Sequence, residues 1–222
     1  MAVVKINGDI VGNDDKWIYD WFGVAATCPK DVTSAIETAK AGEKIEVLIN
    51  SGGGDVLAGQ EIYTTLLGKD NVTIKIQSLA GSAAGVVAMA GKSQISPVAM
   101  LMIHNVSMYG ASGDYHDMQK NAEILKQMNT ALAGAFTHKT GKSEEEILKI
   151  MDKETWLTAN QCVEYGFVDE IMGQQTPQFV NSYSGMWLTD ELRQKAVEEK
   201  KELENKEAEK KALLEDLDLY GI

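Results

Sequence analysis

Two residues, Ser82 and His104, carry the chemistry that nucleophilic catalysis needs: a hydroxyl that can attack and an imidazole that can take its proton. Ser82 stands where a β-branched apolar run (Val72, Ile74, Ile76) passes into residues 82–91, a segment of helical spacing and little side-chain bulk. His104 closes a second apolar run, residues 99–103, which reads as a buried strand. A hydroxyl at a strand-to-helix turn and an imidazole at a strand end can be brought to one point by rigid elements. Each has an ordinary structural reading as well. Serine is a preferred helix N-cap, and a histidine at a strand end is often a hydrogen-bonded structural residue.

A glycine loop precedes them by one strand. Asn50, Ser51 and glycines 52–54 follow an alternating strand (Ile45, Val47, Ile49) and lead into a helix. The backbone N–H groups of such a loop can converge on a phosphate or on an oxyanion. Neither common phosphate-binding fingerprint is present and no lysine follows the loop. As one wall of an oxyanion hole, its partner would be the N–H of Ala83. That arrangement follows the logic of a nucleophile elbow, although Gly81-Ser82-Ala83-Ala84-Gly85 is not the usual GxSxG sequence.

The elements around these residues alternate. A strand over residues 3–6 ends at Asn7-Gly8, and residues 17–22 are aromatic and fit either a helix or a loop. Helical spacing runs through Val32, Ala35, Ile36 and Ala39 and stops at Gly42. Residues 56–67 read as a helix, 72–79 as a strand, 82–90 as a helix, and 114–138 as a long helix with Met118, Ala122, Leu125, Met128, Leu132 and Phe136 on one face. Ser143 and Glu146 have capping-box spacing at the start of a helix reaching Met151. A short helix over 158–165 and a strand over 167–172 follow, with Asp169 and Glu170 structural. The pattern predicts an α/β fold built from repeated ββα or βαβ units.

Composition sets limits. With 222 residues the chain can bury a full core, and its formal net charge of −12 argues against a phosphate-tracking surface, hence against nucleic acid as a partner. Cys28 and Cys162 form no CxxC pair and are expected to be buried free thiols. The N-terminus lacks the features of a secretion signal and no apolar run suits a membrane span, so a cytoplasmic protein is expected. His116 and His138 have no acidic or cysteine neighbours at ligand spacing, so they read as surface or interface residues; no metal or cofactor is expected. A main domain over 1–173, a linker over 174–186 and a charged helical extension over 187–222 complete the expected organisation.

The ordered blocks INSGGG, GSAAG, MLMIH, KTGKS, TWLTA and VEYGFVDEI resemble the proteolytic subunit of the Clp protease, the ClpP family of S14-type serine peptidases. The resemblance implies the ClpP/crotonase superhelix of ββα units, with the helix over 114–138 as the handle by which rings pair. It implies Ser82 as nucleophile, His104 as general base, and the N–H groups of Gly54 and Ala83 as oxyanion donors. The family's aspartate falls at Glu154, counted back from Leu157-Thr158-Ala159. Asp152 competes for that role, and neither carboxylate is a third outcome.

Two departures narrow the resemblance. The first strand begins at Val3, without the axial segment that meets an unfoldase ATPase, which counts against docking of such a partner, and an acidic extension follows Met172. Both features are similar to phage and prophage head-maturation proteases. They imply a homo-oligomeric ring, single or stacked, in the host cytoplasm that cleaves capsid or scaffold polypeptides with little or no ATPase coupling. The alternatives are a non-catalytic ring-forming assembly protein and, further off, a crotonase-type acyl-CoA enzyme.

Overall fold

The computed structural model describes residues 1–174, 194–195, 197–202 and 204–206. The chain divides into two units, Met1–Thr176 and Pro177–Ile222. In the second, the described residues are helical and exposed. Most of the expected linker and charged extension lies outside the described residues.

Within the first unit the elements run β1 (Ala2–Ile10), α1 (Lys16–Phe22), β2 (Ala26–Thr27), α2 (Pro29–Glu37), β3 (Ile45–Gly54), α3 (Val56–Leu66), β4 (Val72–Gly81) and α4 (Ala83–Ala88). Then follow β5 (Lys92–Ile95), β6 (Met100–Ile103), α5 (Tyr115–Thr140), α6 (Glu144–Asp152), β7 (Thr155–Thr158), α7 (Ala159–Glu164) and β8 (Glu170–Ile171). Strands ordered β2-β1-β3-β4-β5-β8 form a parallel sheet, and β6 joins it through β4. β7 is antiparallel to β6. This is the mixed α/β architecture that alternating strands and helices predict.

The central strands are buried because their alternate side chains are β-branched. Ile45, Val47 and Ile49 of β3 and Val72, Ile74 and Ile76 of β4 face one core, together with Val4 and Ile6 of β1. Helices α3 and α4 cover it through Ile62, Leu66, Val86 and Val87. All six residues of α4 are buried, and their small size permits the close approach. A Cβ on Gly59 would lie 2.9 Å from that of Ala83.

Several boundaries differ from those the sequence predicts. β1 continues past Asn7-Gly8 to Ile10: Gly8 (φ +67°) stays within the strand, opposite a bulge in β3 where Ser51 and Gly52 together face it. Residues 155–158 form β7, which supplies the antiparallel neighbour of β6, so the helix expected from 158 begins at Ala159. The last strand is reduced to Glu170–Ile171. Residues 17–22 are helical, and α1 buries none of its side chains. Among the described residues no helix is long and apolar enough to cross a membrane.

Candidate active site

The path of β4 assembles the site. Its first half, Thr73 to Ile76, pairs with β5, and its last residues, Leu79 to Gly81, pair with β6. Burial alternates up to Ile76, is interrupted by exposed Gln77 and Ser78, and resumes at Ala80 and Gly81. This break lets one strand serve two neighbours. Gly81 stands opposite Met102, and the Ser82 amide donates to the Met102 carbonyl at 2.9 Å. His104, two residues further along the chain, is thereby carried to Ser82.

The Ser82 Oγ and the His104 Nε2 are 2.8 Å apart, within reach for proton transfer. Ser82 has φ +51° and ψ −122°, and its side chain makes no cap hydrogen bond to α4. The N-cap reading of this serine is therefore not realised. A positive φ at a residue bearing a side chain costs about 1–3 kcal/mol and persists where the surroundings enforce it. Here β4, β6 and α4 enforce it, and the hydroxyl leaves the helix axis toward the histidine.

The glycine loop packs directly against this turn. A Cβ on Gly53 (φ +105°) would lie 2.6 Å from the Ser82 Cβ, and one on Gly54 (φ +145°) would lie 2.1 Å from the Ile10 carbonyl oxygen. Both positions require glycine for conformation and for space. The Ser51 Oγ donates to the Gly8 carbonyl at 2.6 Å and accepts from the Gly53 N–H at 3.1 Å, which ties the loop to β1. Gly54 and Ala83 line one cavity with Ser82 and His104.

The two candidate carboxylates make their hydrogen bonds to other groups. Asp152, the last residue of α6, accepts from the Asn105 Nδ2 at 2.8 Å. Glu154 has φ +47°, and its Oε1 accepts from the Trp156 indole at 3.4 Å. Among the described residues His104 hydrogen-bonds to Ser82, and neither carboxylate is bonded to its ring. Beside it, the buried Asn105 Oδ1 has no hydrogen-bond partner among the described residues.

The cavity measures about 740 Å³, and its apolar side comes from Leu125, Met128, Leu132 and Phe136 of α5. That volume suits more than one side chain of a peptide. Ile18 and Tyr19 of α1 also line it. The aromatic cluster at 17–22 was the only sequence signal for them, and nothing local links it to residue 82. Asp169 is structural, accepting from the Ser93 N–H and from Lys139, each at 2.7 Å. His116 and His138 are exposed. Cys28 and Cys162 are free and buried. Burial pushes the Cys162 thiol up to about 12, a backbone hydrogen bond from Leu101 offsetting it in part, so neither its location nor its ionisation suits a nucleophile.

A strained serine hydrogen-bonded to a histidine, over a glycine loop and beside an apolar cavity, is the arrangement of a serine hydrolase. The Clp protease family model matches residues 28–175, and the chain belongs to that family. It is 36% identical over 134 residues to ATP-dependent Clp protease proteolytic subunit 2 of Tropheryma whipplei, covering 58% of this chain and 73% of that one. It is 32% identical over 142 residues to the ATP-dependent Clp protease proteolytic subunit of Bacteroides fragilis, covering 62% and 68%. It is 30% identical over 142 residues to ATP-dependent Clp protease proteolytic subunit 1 of Chlamydia muridarum, covering 62% and 74%. The protein is a serine peptidase.

Proposed function

We propose that the protein is a self-assembling serine endopeptidase in which Ser82 is the nucleophile and His104 the general base. The 2.8 Å Ser82–His104 contact carries this reading. His104 takes the Ser82 hydroxyl proton as Oγ attacks the scissile carbonyl, and the Gly54 and Ala83 N–H groups receive the oxyanion. His104 then returns the proton to the leaving amine, and water, deprotonated by the same imidazole, resolves the acyl-enzyme. The apolar α5 face of the cavity favours an apolar side chain next to the cleaved bond. Glu154 is the proposed acid, with Asp152 the competitor.

Assembly would run through α5. Its C-terminal half is anchored by Leu132, Ala133, Ala135 and Phe136, while Met118 and Ile124 are 39% and 41% exposed. Unburied apolar residues on a helix anchored to the core only near its C-terminal end support its use as a handle between rings. The ordered motif set and the charged extension support processing of capsid or scaffold polypeptides during head maturation.

Treatment with a fluorophosphonate followed by mass spectrometry tests the catalytic reading: the adduct is expected on Ser82, and an adduct elsewhere sinks it. Co-expression with a capsid or scaffold polypeptide tests the biological one. Cleavage is expected with the wild type and not with Ser82→Ala. Among the described residues the second ring nitrogen of His104 has no hydrogen-bond partner, which favours a second reading, a ring-forming assembly protein that needs no cleavage. Full assembly function in Ser82→Ala would select it.

A further inference from the structure

The family match begins at residue 28, so α1 lies outside it. Even so, Ile18 and Tyr19 of α1 line the cavity that holds Ser82 and His104. Folding does not explain these side chains, since α1 buries none of its residues. The helix is nevertheless held in place. The turn leading into it closes by a bond from the Asp15 N–H to the Gly12 carbonyl at 3.2 Å, and its end by one from the Val24 N–H to the Tyr19 carbonyl at 2.9 Å. The returning chain then pairs with β1, Asp9 donating to Ala25 at 3.2 Å and Val11 to Thr27 at 3.0 Å. An ion pair between Lys16 and Asp20 braces the exposed side. The excursion from β1 therefore begins and ends on the strand whose Ile10 lies opposite Gly54, which fixes α1 relative to the glycine loop.

Building on the Ser82–His104 reading above, we infer that α1 is a substrate-selecting wall. Ile18 and Tyr19 form a second apolar subsite, distinct from the one that α5 supplies through Leu125 and Leu132. A cavity of about 740 Å³ has room for two substrate side chains, ligand pockets in general spanning roughly 300–1,000 Å³. The preferred substrate is an extended polypeptide with apolar residues at two positions around the scissile bond. Tyr19 lines the cavity beside Ile18, which places its ring and hydroxyl on the substrate side. Trp17 and Trp21 sit four residues apart, 65% and 79% exposed, and neither lines the cavity. They are internal controls.

The test is a peptide library cleaved by the intact protein, with Ile18→Ala, Tyr19→Ala and Trp21→Ala compared. Wild type should select apolar residues at two positions. Ile18→Ala and Tyr19→Ala should lose the selection at one of these positions, with KM for the doubly apolar peptide raised about 10-fold or more and kcat little altered. Trp21→Ala should keep both. Because no α1 residue is buried, the variants are expected to fold, and an unchanged thermal midpoint checks this. A single apolar position in the wild type, equal losses on every peptide, or a change in sedimentation with the loss would overturn the inference. Wild-type labelling at Ser82 separates the two levels. Labelling without dependence on α1 overturns the wall alone, whereas absence of labelling overturns the catalytic reading and the wall with it.

Discussion

At the scale of single residues, the site depends on positions where glycine or strain is enforced. Gly53→Ala must fit a Cβ 2.6 Å from that of Ser82 at φ +105°, so either the loop or the serine has to move. The expected cost is about 1–3 kcal/mol in stability, read by urea unfolding, together with slower labelling of Ser82. Labelling at the wild-type rate would show that the loop does not set the serine's position. The acid is the second residue-scale matter. Glu154→Gln is expected to lower kcat on the order of 1,000-fold or more, as loss of an orienting carboxylate does elsewhere, while Asp152→Asn changes it little. The opposite ranking in steady-state assays would transfer the role to Asp152. Ser82 and His104 could be singled out in the sequence because an element end and its flanking pattern are local properties, whereas Glu154 rests on the family resemblance alone. The hydrogen bonds of Glu154 to Trp156 and of Asp152 to Asn105 were not legible there; they depend on how α6 and β7 meet β6.

Among the elements, α5 is divided in its burial. Residues Leu132 to Phe136 belong to the core, and the half before them leaves Met118 and Ile124 partly in solvent. The sequence shows one continuous apolar face from Met118 to Phe136, because periodicity reports which residues share a side and not what that side meets. If the exposed half pairs rings, Ile124→Asp should reduce the assembly to a smaller species in sedimentation velocity while leaving the thermal midpoint near wild type. An unchanged sedimentation coefficient would remove α5 from the interface. The helix start, by contrast, was readable to within a residue. Asp114 caps it by accepting from the His116 and Asp117 N–H groups at 2.9 and 3.2 Å. β7 escaped notice because four residues, Thr155–Thr158, are too few to show alternation, and only pairing with β6 makes them a strand.

Over the whole molecule, the more strongly shifted of two buried thiols, Cys162, links stability to pH. Burial raises Cys162 from 9.0 to about 12, so the folded state holds this proton more tightly than the unfolded chain does. Its contribution is fully present below pH ~9 and is lost as pH rises through ~12. Urea midpoints measured from pH 8 to 12 should fall more steeply for the wild type than for Cys162→Ala. Parallel declines would contradict the linkage. By itself the sequence determined the alternation of strands and helices, the small-residue helix after Ser82, the glycine loop and the pairing of serine with histidine in one motif set. All of these follow from side-chain size, polarity and spacing along a short stretch of chain. Only the tertiary structure decided that β4 divides its edge between β5 and β6, that Ser82 is held at positive φ with its hydroxyl on His104, and that α1 reaches the same cavity. Those features arise from hydrogen bonds and contacts between segments far apart in the chain, and local pattern carries no record of them.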